Sequence, residues 1–234
     1  AFTVNENGFS RLYLMDIDSR KYRAVEGLPT GLVGGLEFSP DGTRLGMTLN
    51  TPQTPSDSFV LDLGPAALDY VAVNEGGLTR WTYSEVGGLD TETFISPQLV
   101  RYPTFDSDSG GPESIPAWVY KPEGEGPFPV IIQIHGGPEG QSRPNFSSTY
   151  QMWLQKLGAA VIRPNVRGSD GYGKTYMGLD NGFKREDSVR DIGALLDWIA
   201  TQPDLDENRV AVFGGSYGGY MVLASAVHYS DRLK

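Results

Sequence analysis

One stretch near the end of the chain constrains its fold most: Arg209-Val-Ala-Val-Phe-Gly-Gly-Ser216-Tyr-Gly-Gly-Tyr-Met-Val-Leu-Ala-Ser-Ala226. The apolar run Val210 to Phe213 has the length and β-branched content of a short buried strand. It runs into Gly214-Gly215-Ser216-Tyr217-Gly218-Gly219, after which an apolar segment of helical length begins. A strand, a sharp Gly-x-Ser-x-Gly turn and a helix together describe a nucleophile elbow. Glycines flank the serine because a Cβ would clash where strand and helix pack around the strained turn. The turn lifts the Ser216 hydroxyl above the sheet at a helix N-terminus, where backbone N–H groups favour a developing negative charge. Gly-x-Ser-x-Gly by itself also occurs in ordinary Gly-rich loops; the strand before it and the helix after it select the nucleophile.

The chain has 234 residues, room for one large domain or for a domain and part of another. With 39% hydrophobic and 21% charged residues it has the makings of a globular core. Nineteen Lys and Arg against 29 Asp and Glu leave a net charge of −10, and no basic cluster stands out. Such a surface repels phosphates, which argues against nucleic acid and anionic membranes as partners. No apolar run approaches the roughly 20 residues that span a bilayer. Cysteine is absent and the two histidines are far apart, so neither disulfides nor a metal-ligand cluster is expected, and no cofactor motif is present. The chain opens at Ala1 with no signal peptide, which leaves cytoplasm and export both open as compartments, as is the oligomeric state. Both ends read as cut.

From residue 1 to about 75 the sequence alternates short strands with turn residues. Strands are expected at Phe2–Val4, Arg11–Ile17, Tyr22–Val25, Gly35–Phe38, Arg44–Leu49, Ser58–Leu63 and Tyr70–Val73, with turns at Asn7-Gly8, Asp18-Ser19, Pro40-Asp41-Gly42 and Gly64-Pro65. Leu14-Met-Asp-Ile17 resembles Val60-Leu-Asp-Leu63, and Tyr22-Arg-Ala-Val25 resembles Tyr70-Val-Ala-Val73. The offset of about 46 to 48 residues lies within the roughly 40–50 residue period of propeller blades. An arbitrary antiparallel sheet is the alternative.

Residues 76–97 are polar, carry Gly76-Gly77, Gly87-Gly88 and Pro97, and read as an interdomain linker. Residues 98–234 then alternate strand and helix. Leu99–Phe105 and Ile115–Tyr120 flank an acidic turn, Asp106 to Pro112, which reads as solvated because it lacks calcium-loop spacing. Val130–Ile134 leads to His135-Gly136-Gly137-Pro138, and Tyr150–Leu157 reads as a helix with Met152, Trp153 and Leu157 as its apolar residues. Ala159–Pro164 leads to Asn165-Val-Arg167-Gly-Ser-Asp-Gly-Tyr172-Gly173. Glu186–Thr201 is the clearest helix, with Val189, Ile192, Leu195, Leu196 and Ile199 on one face. After a leading hairpin this pattern implies a mostly parallel sheet covered on both faces, with its site at the carboxyl ends of the strands. The loops that follow those strands carry His135 to Pro138, Arg167 to Gly173 and Ser216, and should gather at one edge.

A serine nucleophile needs a base, and its tetrahedral product needs donors for the oxyanion. In an elbow one donor is the N–H after the nucleophile, here Tyr217, and the other comes from the loop after an earlier strand. Gly137 is the candidate for the second, because Pro138 has no N–H.

These features together resemble the prolyl oligopeptidase family of serine peptidases, most closely its acylaminoacyl-peptidase and dipeptidyl-peptidase-like branch. The blade-like first third, His135-Gly-Gly-Pro138, Asn165-Val-Arg-Gly-Ser-Asp-Gly-Tyr-Gly-Lys174 and Gly214-Gly-Ser-Tyr-Gly-Gly219 carry the likeness, in family order. The resemblance implies an α/β fold: the N-terminal half of an α/β-hydrolase domain (98–234), preceded by the last blades of a β-propeller (1–75). It implies that Ser216 is acylated by peptide substrates, with Tyr217 and Gly137 as oxyanion donors. It also implies that His135, Gly136, Arg167 and Tyr172 line the cleft; a loop-bracing ion pair is the other reading of Arg167.

The departure from the pattern is the rest of the triad. In α/β-hydrolases Asp or Glu and then His follow the serine. Here only His228 and Asp231 remain as candidates, in the wrong order. A helix running from Ser216 would carry His228 roughly 18 Å away. His135 precedes the serine and is expected to brace the oxyanion loop. The chain is therefore expected to be a fragment that is inactive alone. An esterase with the same elbow, and a non-catalytic binding protein that retains it, are the competing readings.

Overall fold

The computed structural model describes residues 1–63 and 77–234, which divide into two compact units. The first comprises Ala1–Phe94 with Pro144–Ser147, the second Ile95–Arg143 with Ser148–Lys234. The described chain is mixed α/β, and none of its sheets closes into a barrel.

The first unit holds two antiparallel sheets. One has the order β1 (Phe2–Glu6), β2 (Phe9–Met15), β3 (Tyr22–Ala24). Asn7 and Gly8 join β1 to β2 with φ of 52° and 91°, the left-handed pair that a two-residue hairpin turn requires. The second sheet runs β4 (Leu32–Phe38), β5 (Arg44–Asn50), β6 (Asp57–Asp62), β7 (Leu78–Arg80). Along β5 the residues Leu45, Met47 and Leu49 are buried in strict alternation, so one face of the sheet meets the core that Leu12, Leu14, Val25 and Leu61 complete. The β4–β5 turn is pinned by Asp41, whose carboxylate accepts from the Ser39 hydroxyl and from both the N–H and the hydroxyl of Thr43; these bonds pull its pKa down to about 2.

Of the strands expected here, Tyr70–Val73 lies outside the described residues, as does the Gly64-Pro65 turn. Leu78–Arg80, inside the polar stretch read as a linker, is a strand paired with β6. The polarity of that stretch has a structural use: the buried Asp57 carboxylate accepts from Arg80, from the Thr82 hydroxyl and from the Ser84 N–H, tying the chain after β7 to β6.

The second unit is built on a five-stranded sheet of order β12-β10-β11-β9-β8, with β8 at Gln98–Tyr102, β9 at Ile115–Tyr120, β10 at Phe128–Ile134, β11 at Ala160–Pro164 and β12 at Leu205–Gly214. β10 pairs parallel with β11 and β12, while β9 pairs antiparallel with β11 and β8. The sheet is thus half parallel, with the expected leading hairpin at β8–β9. All six residues of β9 and all five of β11 are buried, as strands covered on both faces should be.

Helices α1 (Ser148–Lys156), α2 (Gly173–Met177), α3 (Arg185–Ala200) and α4 (Tyr217–His228) complete the unit. On α3 the five residues expected at helical spacing are all buried against the sheet. On α1 the buried residues are Gln151 and Leu154, whereas Met152 and, just past the helix, Leu157 are exposed. The expected apolar face gives way because the Gln151 amide accepts from the Ile95 N–H and donates to the Ile95 carbonyl, each at 2.9 Å. A side chain that satisfies both groups of a neighbouring backbone is worth burying despite its polarity.

Candidate active site

Ser216 sits where β12 ends and α4 begins, with φ 55° and ψ −123°. Only two other described residues apart from glycines have positive φ, Asn7 in the β1–β2 turn and Arg20 in the β2–β3 connection. Backbone in such a sparsely populated region costs about 1–3 kcal/mol and is held only by its surroundings. Two neighbours make it possible. A Cβ on Gly214 would lie 2.7 Å from the Gly218 backbone, and one on Gly218 would overlap the Ile134 carbonyl of β10. Gly215 and Gly219 are under no such pressure. The Gly219 and Tyr220 N–H groups donate to the Ser216 carbonyl at 2.9 and 3.2 Å, closing the turn, and the serine itself is exposed.

The loop after β10 runs beside it. A Cβ on Gly136 would stand 3.4 Å from Ser216 Cβ and 3.9 Å from its Oγ, so the absence of a side chain there leaves room at the hydroxyl. Gly137 has φ 136°, and any side chain would strike the Glu139 and Gly140 backbone. His135 turns away from the serine: Nδ1 lies 2.7 Å from the Gly136 carbonyl and Nε2 2.9 Å from Ser169 Oγ. Burial pulls the imidazole pKa below its ordinary 6.5, against the smaller opposing effect of the Gly136 bond. The neutral ring that burial favours donates from Nδ1–H to Gly136 and accepts at Nε2. Ser169 Oγ also lies 2.6 Å from the Val166 carbonyl, so its one hydrogen is shared between two acceptors.

The loop after β11 packs on the loop after β10. The Asp170 N–H donates to the Gly140 carbonyl, and Gln141 fills the space a Gly171 side chain would need. Tyr172 is half-buried, and its hydroxyl accepts from Asn165 Nδ2 at 3.0 Å. Ser216, Gly136, Gly137 and His135 are therefore neighbours, and the 165–173 loop holds His135 from behind.

Arg167 is placed differently from its cleft-lining expectation. It is 2% exposed, its guanidinium bonds both Asp191 and Asp106, and the Phe105 ring lies 4.4 Å from its Cζ. Burial alone would lower its pKa; the hydrogen bonds to Asp106 and Asp191 outweigh that and raise it. A guanidinium consumed by two carboxylates braces the loop, the other of the two readings. Asp106 is correspondingly drawn into this pair from the turn read as solvated, and the Arg167 bonds hold its carboxyl below the ordinary range.

Sequence reasoning missed the support under the elbow. The Tyr217 hydroxyl meets Ser188 Oγ at 2.7 Å, and Asp180, fully buried, bonds Arg185. These residues come from three separate segments with no shared motif. Asp191 carried one signal, a lone acid on the apolar face of α3.

His228 closes α4 twelve residues beyond Ser216, which is roughly 18 Å along the helix, and pairs with Glu186 at 3.4 Å. Among the described residues neither histidine is hydrogen-bonded to Ser216, and no group of acids and histidines is arranged to hold a metal ion. A separate pocket of about 490 Å³, lined by Phe105, Arg190, Trp198 and Tyr229 among others, shares no residue with this site. No described helix is long and apolar enough to cross a membrane.

Residues 144–234 match the model of the prolyl oligopeptidase family. The chain is 28% identical over 222 residues to the uncharacterized peptidase YuxL of Bacillus subtilis, covering 92% of this chain and 31% of that protein. It is 32% identical over 147 residues to dipeptidyl aminopeptidase BIII of Pseudoxanthomonas mexicana, covering 63% of this chain and 19% of that enzyme. Among solved structures, an acylaminoacyl peptidase in complex with Z-Gly-Gly-Phe-chloromethyl ketone superposes with a TM-score of 0.74 at 25% identity, over all of this chain and 34% of that one. The chain thus spans about a third or less of the proteins it matches. The stretch that matches the prolyl oligopeptidase family, residues 144–234, contains both the elbow and the loop after β11.

Proposed function

We propose that this chain carries the nucleophile of a serine peptidase, and that Ser216 attacks the carbonyl of a peptide to form an acyl-serine intermediate. The observation that carries the reading is the backbone of Ser216: an exposed hydroxyl on a strained turn, at a helix N-terminus, beside a glycine loop. Attack places negative charge on the former carbonyl oxygen. The first two N–H groups of α4, those of Tyr217 and Gly218, precede the turn closed on the Ser216 carbonyl by Gly219 and Tyr220, and Tyr217 N–H is the natural donor to the new oxyanion. Gly137 N–H is the proposed second donor, on the loop that Gly136 brings against the serine. His135, with both ring nitrogens engaged, fixes that loop and does not act as base.

The domain division proposed with this function is a blade-bearing region over 1–75, a connection over 76–97 and the first half of an α/β-hydrolase domain over 98–234. The four-stranded antiparallel sheet β4-β5-β6-β7 has the size of one propeller blade and supports the first part, with β7 added to it. Peptides as substrates are supported by the peptide-derived ketone named in the acylaminoacyl peptidase complex.

The test compares wild type and Ser216→Ala, as produced in the natural source, on peptide amides and short acyl esters. Amide cleavage that falls by about 10³-fold or more in the variant is expected, the scale on which triad serines act. Ester cleavage without any amide cleavage would overturn the peptidase reading. The 234 residues alone are expected to turn over neither substrate measurably, because His228 stands roughly 18 Å along α4 from Ser216 and both His135 ring nitrogens are engaged by Gly136 and Ser169.

A further inference from the structure

Asp180 lies between α2 and α3, and its environment is unusual. It is 0% exposed, its Oδ2 accepts from Arg185 Nη1 at 2.5 Å and faces the Tyr217 hydroxyl at 3.4 Å, and its Oδ1 has no hydrogen-bond partner. Burial pushes its pKa up, and the Arg185 charge opposes that shift. A buried carboxylate with one idle oxygen costs stability that an apolar side chain of similar size would not.

The position connects three segments. Gly168, at φ 93°, carries no Cβ where one would overlap the Asp180 carboxyl, so this acid packs directly on the backbone of the 165–173 loop. Arg185, at the start of α3, bonds Asp180 and lies 5.5 Å over the Tyr217 ring. Tyr217 is the first residue of α4 and follows Ser216 directly, and its hydroxyl is fixed by Ser188. The Ser188 hydroxyl is in turn 2.7 Å from the Arg185 carbonyl. Loop, α3 and nucleophile turn thus meet at one carboxylate.

We propose that Asp180 is a positioning residue for the nucleophile turn, clamping Tyr217 through Arg185 so that the α4 N-terminus keeps its orientation. The inference rests on the reading of Ser216 as nucleophile for its functional meaning. The clamp itself is tested without turnover.

The experiment is amide hydrogen exchange, read at single residues, on the protein as its source makes it and on its Asp180→Asn and Tyr217→Phe variants. Asn keeps the shape of Asp180 and removes the charge that holds Arg185. The Gly219 and Tyr220 amides report opening of the turn, since both bond the Ser216 carbonyl. Ile132, buried in β10 between β11 and β12, reports global opening. In Asp180→Asn the Gly219 and Tyr220 rates should rise by about tenfold while Ile132 changes by less than about twofold. Tyr217→Phe should act in the same direction, and the double variant should show less than the summed effect, as coupled residues do. Rates that rise equally at all three amides, or at none, would overturn the clamp. Fluorophosphonate labelling of Ser216, done on the protein as its source makes it, is scored separately: its absence would count against the nucleophile and not against an observed local exchange response.

Discussion

Ser216 is the residue whose local conformation runs against its own preferences, and the glycines around it show how the chain holds it there. Gly218 touches the Ile134 carbonyl of β10 across a gap that no side chain fits, while Gly215, one residue before the serine, faces open space. Gly218→Ala should therefore lower the urea midpoint by the equivalent of about 1–3 kcal/mol, the cost of overpacking against backbone. Gly215→Ala should stay within about 0.5 kcal/mol. Equal effects would mean that the elbow is not held by this contact. His135 gives a pH signature. Its folded pKa lies below the ordinary 6.5 because it is buried, so the unfolded chain takes up the proton first. Its contribution to stability is full above about pH 6.5 and falls as the pH is lowered through that value toward the folded pKa. Chemical denaturation between pH 7.5 and about 5 should show this loss in wild type and less of it in His135→Asn; identical slopes would mean the ring is not buried neutral.

At the scale of elements, the chain was legible where pattern and packing agree. The apolar face of α3 emerged as expected, because five branched or aliphatic residues at helical spacing have one way to reach the sheet. The short strands of the first unit were legible from their turns, since Asn7-Gly8 admits few other geometries. On α1 the pattern misled: Gln151 is inside and Met152 and Leu157 are outside, because a pair of backbone bonds to Ile95 decides the face. Hydropathy cannot show a partner 56 residues away. Gln151→Ala should cost about 1–3 kcal/mol in urea unfolding by stranding the Ile95 N–H and carbonyl, whereas Met152→Ala should be nearly neutral. Arg167 teaches the same lesson in the site. Its motif was visible, but Asp106 and Asp191, which consume it, come from 61 and 24 residues away.

For the molecule as a whole, the elbow at Ser216 and the glycine loop were visible in the sequence because both are local turns with strict backbone demands. The support behind them (Ser169 under His135, and Asp180 with Arg185 and Ser188 under Tyr217) was invisible because it is assembled from distant segments. A net charge of −10 adds no ligand preference of its own beyond disfavouring polyanions. Function at this scale depends on whether Ser216 is chemically activated in the protein its source makes. Treating that protein with a fluorophosphonate and mapping the adduct by peptide mass spectrometry addresses this directly. The expected result is a single adduct on Ser216 that disappears in Ser216→Ala together with peptide cleavage. An unlabelled Ser216 in a preparation that still cleaves peptides, or cleavage that survives Ser216→Ala, would contradict it.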